Sequence, residues 1–473
     1  MPQLLPVPNP IVSHWLSEPH RLRDFRSTPE LPSECDIIII GSGMAGITTA
    51  YFLLHENPNP PNIVLLEARE LCTGATGRNG GHSKVLLSTI SRVVKDHGPG
   101  IATELQTMVQ KINDTFKQII NEEKLDCEFE LRRSHDVQLE TPESEQLKQM
   151  YDEGCKAGHE WTKDVSWIGP EHVEQVTSIK GAKSAFSVPA CSLWPYKFVS
   201  QLLSRLLERH PDHLNFQTNT PVTSVDLQVD TSSVVTTPRG TIKTQKVIFA
   251  TNAYTSGLLP QFQDIIYPVR GMASHLVPKT PVRPHLSNTY NIDYGSAKGV
   301  DYLNPRPDGS IVVGGAKWTF PDRETWYKNS DDSKPFPSEV QSYWDGYMQR
   351  VFHGWENSGA FTERVWPGIQ GYTPDSWPHV GRVPGTKSQW MLAGFNGGGN
   401  TMILKSAETV AKMIREDKEF GDVAREVGVL TLFGTSKERM RKKIEETLPR
   451  VDGDISIRVK YTEWDTNTQH VKH

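Results

Sequence analysis

Cysteine is scarce in this sequence: Cys35, Cys72, Cys127, Cys155 and Cys191 are the five among 473 residues. An odd count at long spacings provides no disulfide framework and points to a reducing, cytoplasmic setting. A basic surplus is also missing. The formal net charge is −5 with 23% charged residues, which argues against a nucleic-acid partner, because duplex binders carry a clear excess of Lys and Arg. No apolar run approaches the ~18 residues expected of a membrane span. Pro2, Pro6, Pro8 and Pro10 interrupt the place where a signal helix would lie. The 16 histidines show no metal-ligand spacing, so no metal is expected. The last three residues, Val471-Lys472-His473, form neither a peroxisomal tripeptide nor a prenylation box.

What is present reads as an enzyme with a large core. At roughly 100–200 residues per domain the length suggests two or three domains. Residues 1–33, rich in proline and charge, read as an extended surface arm. Asp36–Ile40 contains four consecutive isoleucines, the signature of a strand buried on both faces. A glycine turn follows, then apolar residues at helical spacing over Met44–His55, the loop Asn57–Asn62 and a second buried strand, Ile63–Leu66. Residues 101–120 and Lys197–Arg209 read as amphipathic helices. Val222–Leu227, Ser233–Thr237 and Lys246–Ala250 read as strands, the last two joined at Pro238-Arg239-Gly240. Met402–Arg415 reads as a further helix. Residues 126–190 give no clear period, 264–360 mix short strands with aromatic loops, and 431–473 read as a charged tail.

Gly41-Ser42-Gly43-Met44-Ala45-Gly46 is a GxGxxG sequence, a weak signal alone. Placed between a strand and a helix it becomes a dinucleotide fingerprint: a tight turn, a close backbone approach to a pyrophosphate, and close helix–strand packing. The helix N-terminus offers unpaired N–H groups and a positive dipole end to phosphate. Glu67 ends the second strand, where a carboxylate accepts bonds from ribose hydroxyls. NAD and FAD both use this arrangement, and three further segments favour a flavin. The run Thr73 to His82, with Gly74, Ala75, Thr76, Arg78, Asn79, Gly80 and Gly81, is rich in small residues that suit backbone lying against a flat ligand. Val247 to Tyr254 carries a buried strand into the small-residue turn Ala250-Thr251-Asn252. Far downstream, Gly394-Phe395-Asn396-Gly397-Gly398-Gly399-Asn400-Thr401 is a second glycine loop feeding a helix, suited to the anionic edge of a flavin ring.

On these motifs, together with LLEARELCTGATGRNGGH, TPVTSV, PVRG and WPGIQGYTPDSWPHVG, the chain resembles the D-amino-acid oxidase-like flavoproteins of the glycine/sarcosine oxidase class. The nearest subgroup is that of γ-glutamylputrescine oxidoreductase. The resemblance runs from about Cys35 to Met413. It implies an α/β fold: a Rossmann-like FAD-binding domain (34–95, 191–262 and 364–430) interleaved with a mixed-sheet α+β substrate domain (96–190 and 263–363). It places Val222 and Ala68-Arg69 beside the adenosine, and the 394–402 loop, Trp366 and Gly368 near the flavin ring. It also shows departures. The cysteine that tethers flavin in monomeric sarcosine oxidases falls on Gly368, their oxygen-activating lysine on Val312, and their carboxylate-binding arginine and lysine on Lys84 and Thr401. The FAD is therefore expected without a cysteinyl link, and a small α-amino acid is not the obvious substrate.

The remaining candidates each have two readings. His82 is a histidyl attachment point or a polar neighbour of the cofactor. Arg270 meets a substrate anion or makes a structural ion pair. Lys317 lines a face of the flavin or ends a strand in solvent. Tyr294, Tyr302, Trp318 and Trp366 form an aromatic cage for an amine or a plain aromatic core. The buried thiol is the default for Cys72. The expected reaction is hydride transfer from an amine-bearing carbon to flavin, giving an imine that water hydrolyses, with molecular oxygen or another acceptor reoxidising the cofactor. The alternatives are an FAD dehydrogenase of an alcohol or hydroxy acid, and a flavin-binding subunit without turnover.

Overall fold

The computed structural model describes residues 4–441. Two sheets organise them. The first has eight strands, its spine parallel in the order Gln389–Ala393, Gly240–Phe249, Glu34–Ile40, Ile63–Leu66, Leu214–Gln217. His379–Arg382 adds antiparallel to one edge, and Ser224–Leu227 and Ser233–Thr237 form a hairpin arrangement with the start of Gly240–Phe249. The isoleucine run explains the layering. Ile37 and Ile39 enter one core with Ile63, Leu65 and Ile248, while Ile38 and Ile40 enter another with Val64, Leu66 and Phe249. Alternate side chains point to opposite faces, so a strand covered on both sides must be apolar throughout. Helices Met44–Leu54 and Ile403–Glu416 pack together over the first of these faces.

The second sheet has nine strands, in the order Phe361–Tyr372, Tyr267–Val277, Ile311–Gly314, Val300–Pro305, Thr289–Asp293, Glu130–Gln138, Ser184–Ser192, His82–Ser83, with Ser166–Ile168 beside Ser184–Ser192. It is mixed: Thr289–Asp293 runs parallel to Glu130–Gln138, and the other pairs are antiparallel. The fold is α/β, with a parallel nucleotide-type sheet and a mixed second sheet. His82–Ser83 and Phe361–Tyr372 belong to the second sheet, so the chain passes between sheets at the ends of the flavin-loop segment and of the last motif.

The helices expected at 101–120 and Lys197–Arg209 are present as Pro99–Glu123 and Pro195–Arg209. The stretch 126–190, where sequence periodicity is mute, contains three strands of the second sheet and the helix Thr141–Lys156. The N-terminal arm differs from a surface segment. Trp15 is fully buried, its indole N–H donating to the Asn79 carbonyl at 2.5 Å, and Ser13 Oγ donates to the Gly77 carbonyl at 2.5 Å. Proline excludes regular structure there, but it does not exclude burial. At the other end Phe433 is buried and Arg439 forms a bidentate pair with Asp375 (2.7 and 3.0 Å); the rest of the charged tail lies outside the described residues. No helix among the described residues is long and apolar enough to cross a membrane.

One buried carboxylate ties these segments together. Asp332, 1% exposed, accepts from Arg69 Nη1 at 2.9 Å and lies 3.5 Å from Arg78 Nε. Its carbonyl accepts from Ile11 N–H of the arm at 2.9 Å. Removing one partner of a buried ionic set strands the other charges, at a cost of about 3–5 kcal/mol. Asp332→Ala is expected to lower the denaturant midpoint accordingly. A midpoint equal to wild type would show that the two guanidinium groups are satisfied without it.

Candidate functional site: a cofactor cavity with a polar end

The first glycine turn builds one wall. Gly41 has φ +111°, and a Cβ there would lie 2.7 Å from the Ala250 carbonyl oxygen, so both backbone shape and space require glycine. At Gly46 a methyl group would overlap the Gly41 carbonyl oxygen, which is the close helix–strand approach the motif exists to permit. Met44 N–H, at the start of the helix, donates to Thr76 Oγ1 at 3.0 Å and docks the flavin loop onto the turn. Glu67 sits across from them. Its Oε2 accepts from Ser42 N–H (2.9 Å) and Ser42 Oγ (2.7 Å), and its Oε1 accepts from Arg69 N–H (3.0 Å). These bonds fix the carboxylate's orientation and leave acceptor capacity facing the cavity.

The distant segments converge on the same space. Asn79 and Asn400 side chains pair at 3.3 Å, and Asn400 Nδ2 donates to the His82 carbonyl at 3.1 Å, joining the two glycine loops. Asn252 Oδ1 accepts from Gly394 and Phe395 N–H at 3.1 and 3.3 Å, joining the 250–254 turn to the second loop. The resulting cavity is lined by Gly41, Gly43, Ala45, Glu67, Ala68, Arg69, Val222, Ala250, Thr251 and Asn252 on one side. Gly74, Ala75, Thr76, Arg78, Asn79, Gly80, His82, Gly368, Asn396, Gly397, Gly398, Gly399, Asn400 and Thr401 continue the lining. Lys84, Tyr302 and Lys317 line it as well. Met44, Gly46, Gly81, Gly394, Trp366 and Arg270 do not line it. Most of these back the wall; Trp366, for example, is fully buried and donates from its indole to the Arg78 carbonyl at 2.9 Å.

The charged lining is tuned by burial. Burial pushes the Arg78 guanidinium down to about 10 against the opposing pull of Asp332, and its Nη2 has no hydrogen-bond partner among the described residues. His82 is held neutral: burial, then Lys84 and Arg132, drive its pKa well below the usual imidazole value, and its Nδ1 is unpartnered among the described residues. Arg78 and His82 both line the cavity, and each keeps a buried nitrogen without a hydrogen-bond partner among the described residues, a feature that is uncommon in native structures. Lys84 donates to the Tyr290 carbonyl at 3.0 Å. Nearby, burial lifts the Asp136 carboxyl to about 6, with Lys84 and the Asn291 amide opposing the rise. Lys317 donates to Tyr372 Oη at 2.9 Å, and that hydroxyl donates to Gln370 Oε1 at 2.9 Å.

Arg270 is placed otherwise. It is buried, donates to the Lys334 carbonyl and stacks on Phe336 at 4.1 Å, away from the cavity lining. The aromatic group divides. Tyr302 lines the cavity against Gly80 and Gly314, whereas Tyr294 and Trp318 pack with Tyr343 around the buried Asp301, whose carboxyl burial raises to about 7. Gly368, Lys84 and Thr401 line the cavity, and Val312 is buried in the hydrophobic core. Gln370, Tyr372 and Asn291 also line it without having been singled out from sequence. The signal lay in the WPGIQGYTPDS motif: Gly368, Gln370 and Tyr372 alternate along one strand and so share a face. Leu5 and Pro6 of the arm also line it.

Two outcomes are expected for the cofactor. Glu67→Ala removes charge-assisted bonds worth about 1.5–3 kcal/mol each, so FAD should dissociate about tenfold more readily on dialysis; full retention would place Glu67 away from the ribose. Acid precipitation should release the flavin into the supernatant, whereas flavin in the pellet would indicate attachment through His82.

Residues 36–413 match the family described as FAD dependent oxidoreductase (DAO). Gamma-glutamylputrescine oxidoreductase of Escherichia coli (strain K12) is 30% identical over 99 residues, 20% of this chain and 22% of that protein. The alignment therefore spans about a fifth of that relative's length. Sarcosine oxidase subunit beta of Rhodobacter capsulatus is 21% identical over 428 residues, 85% of this chain and 90% of that one. The glycine oxidase structure from Bacillus cereus ATCC 14579 shares the fold, with a TM-score of 0.65 at 17% identity over 82% of this chain and 97% of that chain. With the family match spanning both glycine loops, Glu67 and the cavity they enclose, the chain belongs to the FAD dependent oxidoreductase (DAO) family.

Proposed function

We propose that this protein oxidises the C–N bond of an amine whose body carries an acidic or amide group remote from the reacting carbon. FAD, when bound in the cavity, supplies the two-electron oxidant that takes the hydride. The carbon–hydrogen bond breaks, the amine loses a proton, and the imine that results is hydrolysed by water to a carbonyl compound and a smaller amine or ammonia. The observation that carries this reading is the composition of the cavity wall. Glu67 is the carboxylate of its lining and stands beside Gly41 and Ser42 on the nucleotide side. The remaining lining carries Lys84 and Lys317 with Tyr302, Tyr372, Gln370 and Asn291.

Away from Glu67 the lining favours a neutral amine over an ammonium, because among the described residues it holds no second carboxylate to pair with the cation. It also supplies donors for an anion or carbonyl. Lys84 is drawn back toward Asp136 and the Tyr290 carbonyl, whereas Lys317 heads the hydrogen-bonded line through Tyr372 to Gln370. A substrate carboxylate or amide meeting this line would exclude water and fix the reacting carbon. The partial likeness to gamma-glutamylputrescine oxidoreductase supports a long amide-bearing amine over sarcosine or glycine. Oxygen or another acceptor completes the cycle.

Rates at matched concentration should rank γ-glutamylputrescine-like amides and larger secondary amines above sarcosine, glycine and simple D- or L-amino acids. Sarcosine as the fastest substrate would contradict the proposed placement of Lys84 and Thr401. Lys317→Met should raise KM for acid-bearing amines about ten- to a hundredfold through loss of a charge-assisted bond, with N-alkyl amines lacking an acid little changed. An equal effect on both classes would mean that Lys317 acts only on the fold.

A further inference from the structure

Away from the cofactor cavity, three side chains far apart in sequence meet: His14 of the arm, His275 of Tyr267–Val277 and Glu363 of Phe361–Tyr372. The register explains how Glu363 reaches the group. His275 pairs with Arg364 and Leu276 with Thr362, so Glu363 is the extra residue of a β-bulge, a device that re-aims a side chain. The two imidazoles stack with centroids 3.7 Å apart and planes at 23°. His275 Nδ1 lies 2.8 Å from Glu363 Oε2. One ligand atom from each of the three lies within 4.8 Å of the others.

The group carries features that packing does not explain. His14 and His275 are 9% and 5% exposed, and the Nε2 of each is buried without a hydrogen-bond partner among the described residues. Two buried polar atoms left unsatisfied side by side are uncommon in native structures. Each ring therefore keeps a nitrogen that no hydrogen bond among the described residues occupies. Charges of both signs surround the pair. Glu363 and Asp308 face the pair, Arg306 is neutralised by Glu128 at 2.5 Å, and Arg364 donates to the Ser13 carbonyl. The Glu363 side chain is 42% exposed, which leaves an access route and an open coordination position for water.

We propose that His14, His275 and Glu363 form a binding site for a divalent transition-metal ion of the zinc class. Two imidazole nitrogens and a carboxylate oxygen with one open position is a donor set that zinc accepts at about 2.0–2.2 Å per bond, and imidazole ligands favour late transition metals over magnesium or calcium. Bonds of that length require the three ligand atoms to converge, with the exposed Glu363 side chain rotating and one imidazole turning out of the stack so that its in-plane lone pair meets the ion. The ion would staple the arm to the second sheet. The residues flanking His14, Ser13 and Trp15, hold the carbonyls of Gly77 and Asn79 in the flavin loop, so the staple would also steady that loop.

The test uses the FAD-loaded protein, freed of metal with EDTA and equilibrated by dialysis against micromolar Zn²⁺. Zinc is counted by elemental analysis, and Co²⁺ substitution is followed by its visible d–d bands. Wild type should retain one zinc per chain. Glu363→Gln, at an exposed side chain, should keep its flavin spectrum and bind zinc about tenfold or more weakly, the scale on which metal affinity answers to single ligand-group changes. His14→Ala should lose the site and its cobalt bands. Wild type retaining no zinc, or both variants retaining it as wild type does, would overturn the proposal, the latter by placing the ion elsewhere in the chain.

Discussion

The buried Asp332 carboxylate, held by Arg69 and close to Arg78, is the interaction on which the rest of the site depends. The two arginines belong to the loop that follows the second strand of the nucleotide-type sheet, and Asp332 belongs to the excursion from the second sheet. The ion pair therefore joins the two halves behind the wall to which Arg69 and Arg78 belong. Arg69 also donates to the Val7 carbonyl and Arg78 to the carbonyls of Thr73 and Pro367. Arm, flavin loop and the strand Phe361–Tyr372 are thus fixed by the same pair of guanidinium groups. Burying this much charge is costly unless each group is paired, and the pairing gives the cavity its shape.

Around that node each wall has a local cause. The glycine turn lets the first helix approach the sheet, Glu67 is aimed by Ser42 and Arg69, and the two glycine loops meet at Asn79 and Asn400. The mixed sheet contributes the remaining wall, where alternation along Phe361–Tyr372 sets Gly368, Gln370 and Tyr372 on the cavity side. Glycine at 368 leaves room for Arg78, whose Cβ a side chain there would approach to 3.3 Å, and Tyr372 links Gln370 to Lys317. The two sheets contribute different walls of one cavity, and sites that vary on a shared fold are how one fold supports different functions.

Much of the first sheet could be read directly from the chain. Four isoleucines in a row, a glycine fingerprint and a terminal carboxylate are local signals, and they need no knowledge of distant contacts. The second glycine loop was legible for the same reason. The second sheet was not, because its strands between 126 and 190 have polar and apolar residues whose order is decided by neighbours distant in sequence, as with Ser134 and His135 paired to Val188 and Ser187. The arm misled in another way: prolines announce irregular backbone, yet Trp15 is driven into the core by its apolar area and finds a carbonyl for its indole. Asp332 had no local mark at all, since its meaning lies in two arginines more than 250 positions away in the sequence. Lys317 was noticed as a residue, but its line through Tyr372 to Gln370 required the strand register.

The proposed function requires that the cavity perform chemistry at a carbon bearing nitrogen. Anaerobic mixing of the FAD-loaded protein with paired compounds, an amide-bearing amine and the alcohol of the same skeleton, measures this most directly through the flavin's long-wavelength absorbance and the carbonyl product. The amine should bleach the flavin and yield one carbonyl per flavin reduced, while the alcohol should leave the spectrum unchanged. Bleaching by the alcohol alone, or by neither compound nor any amine in a broad panel, would contradict the proposed function.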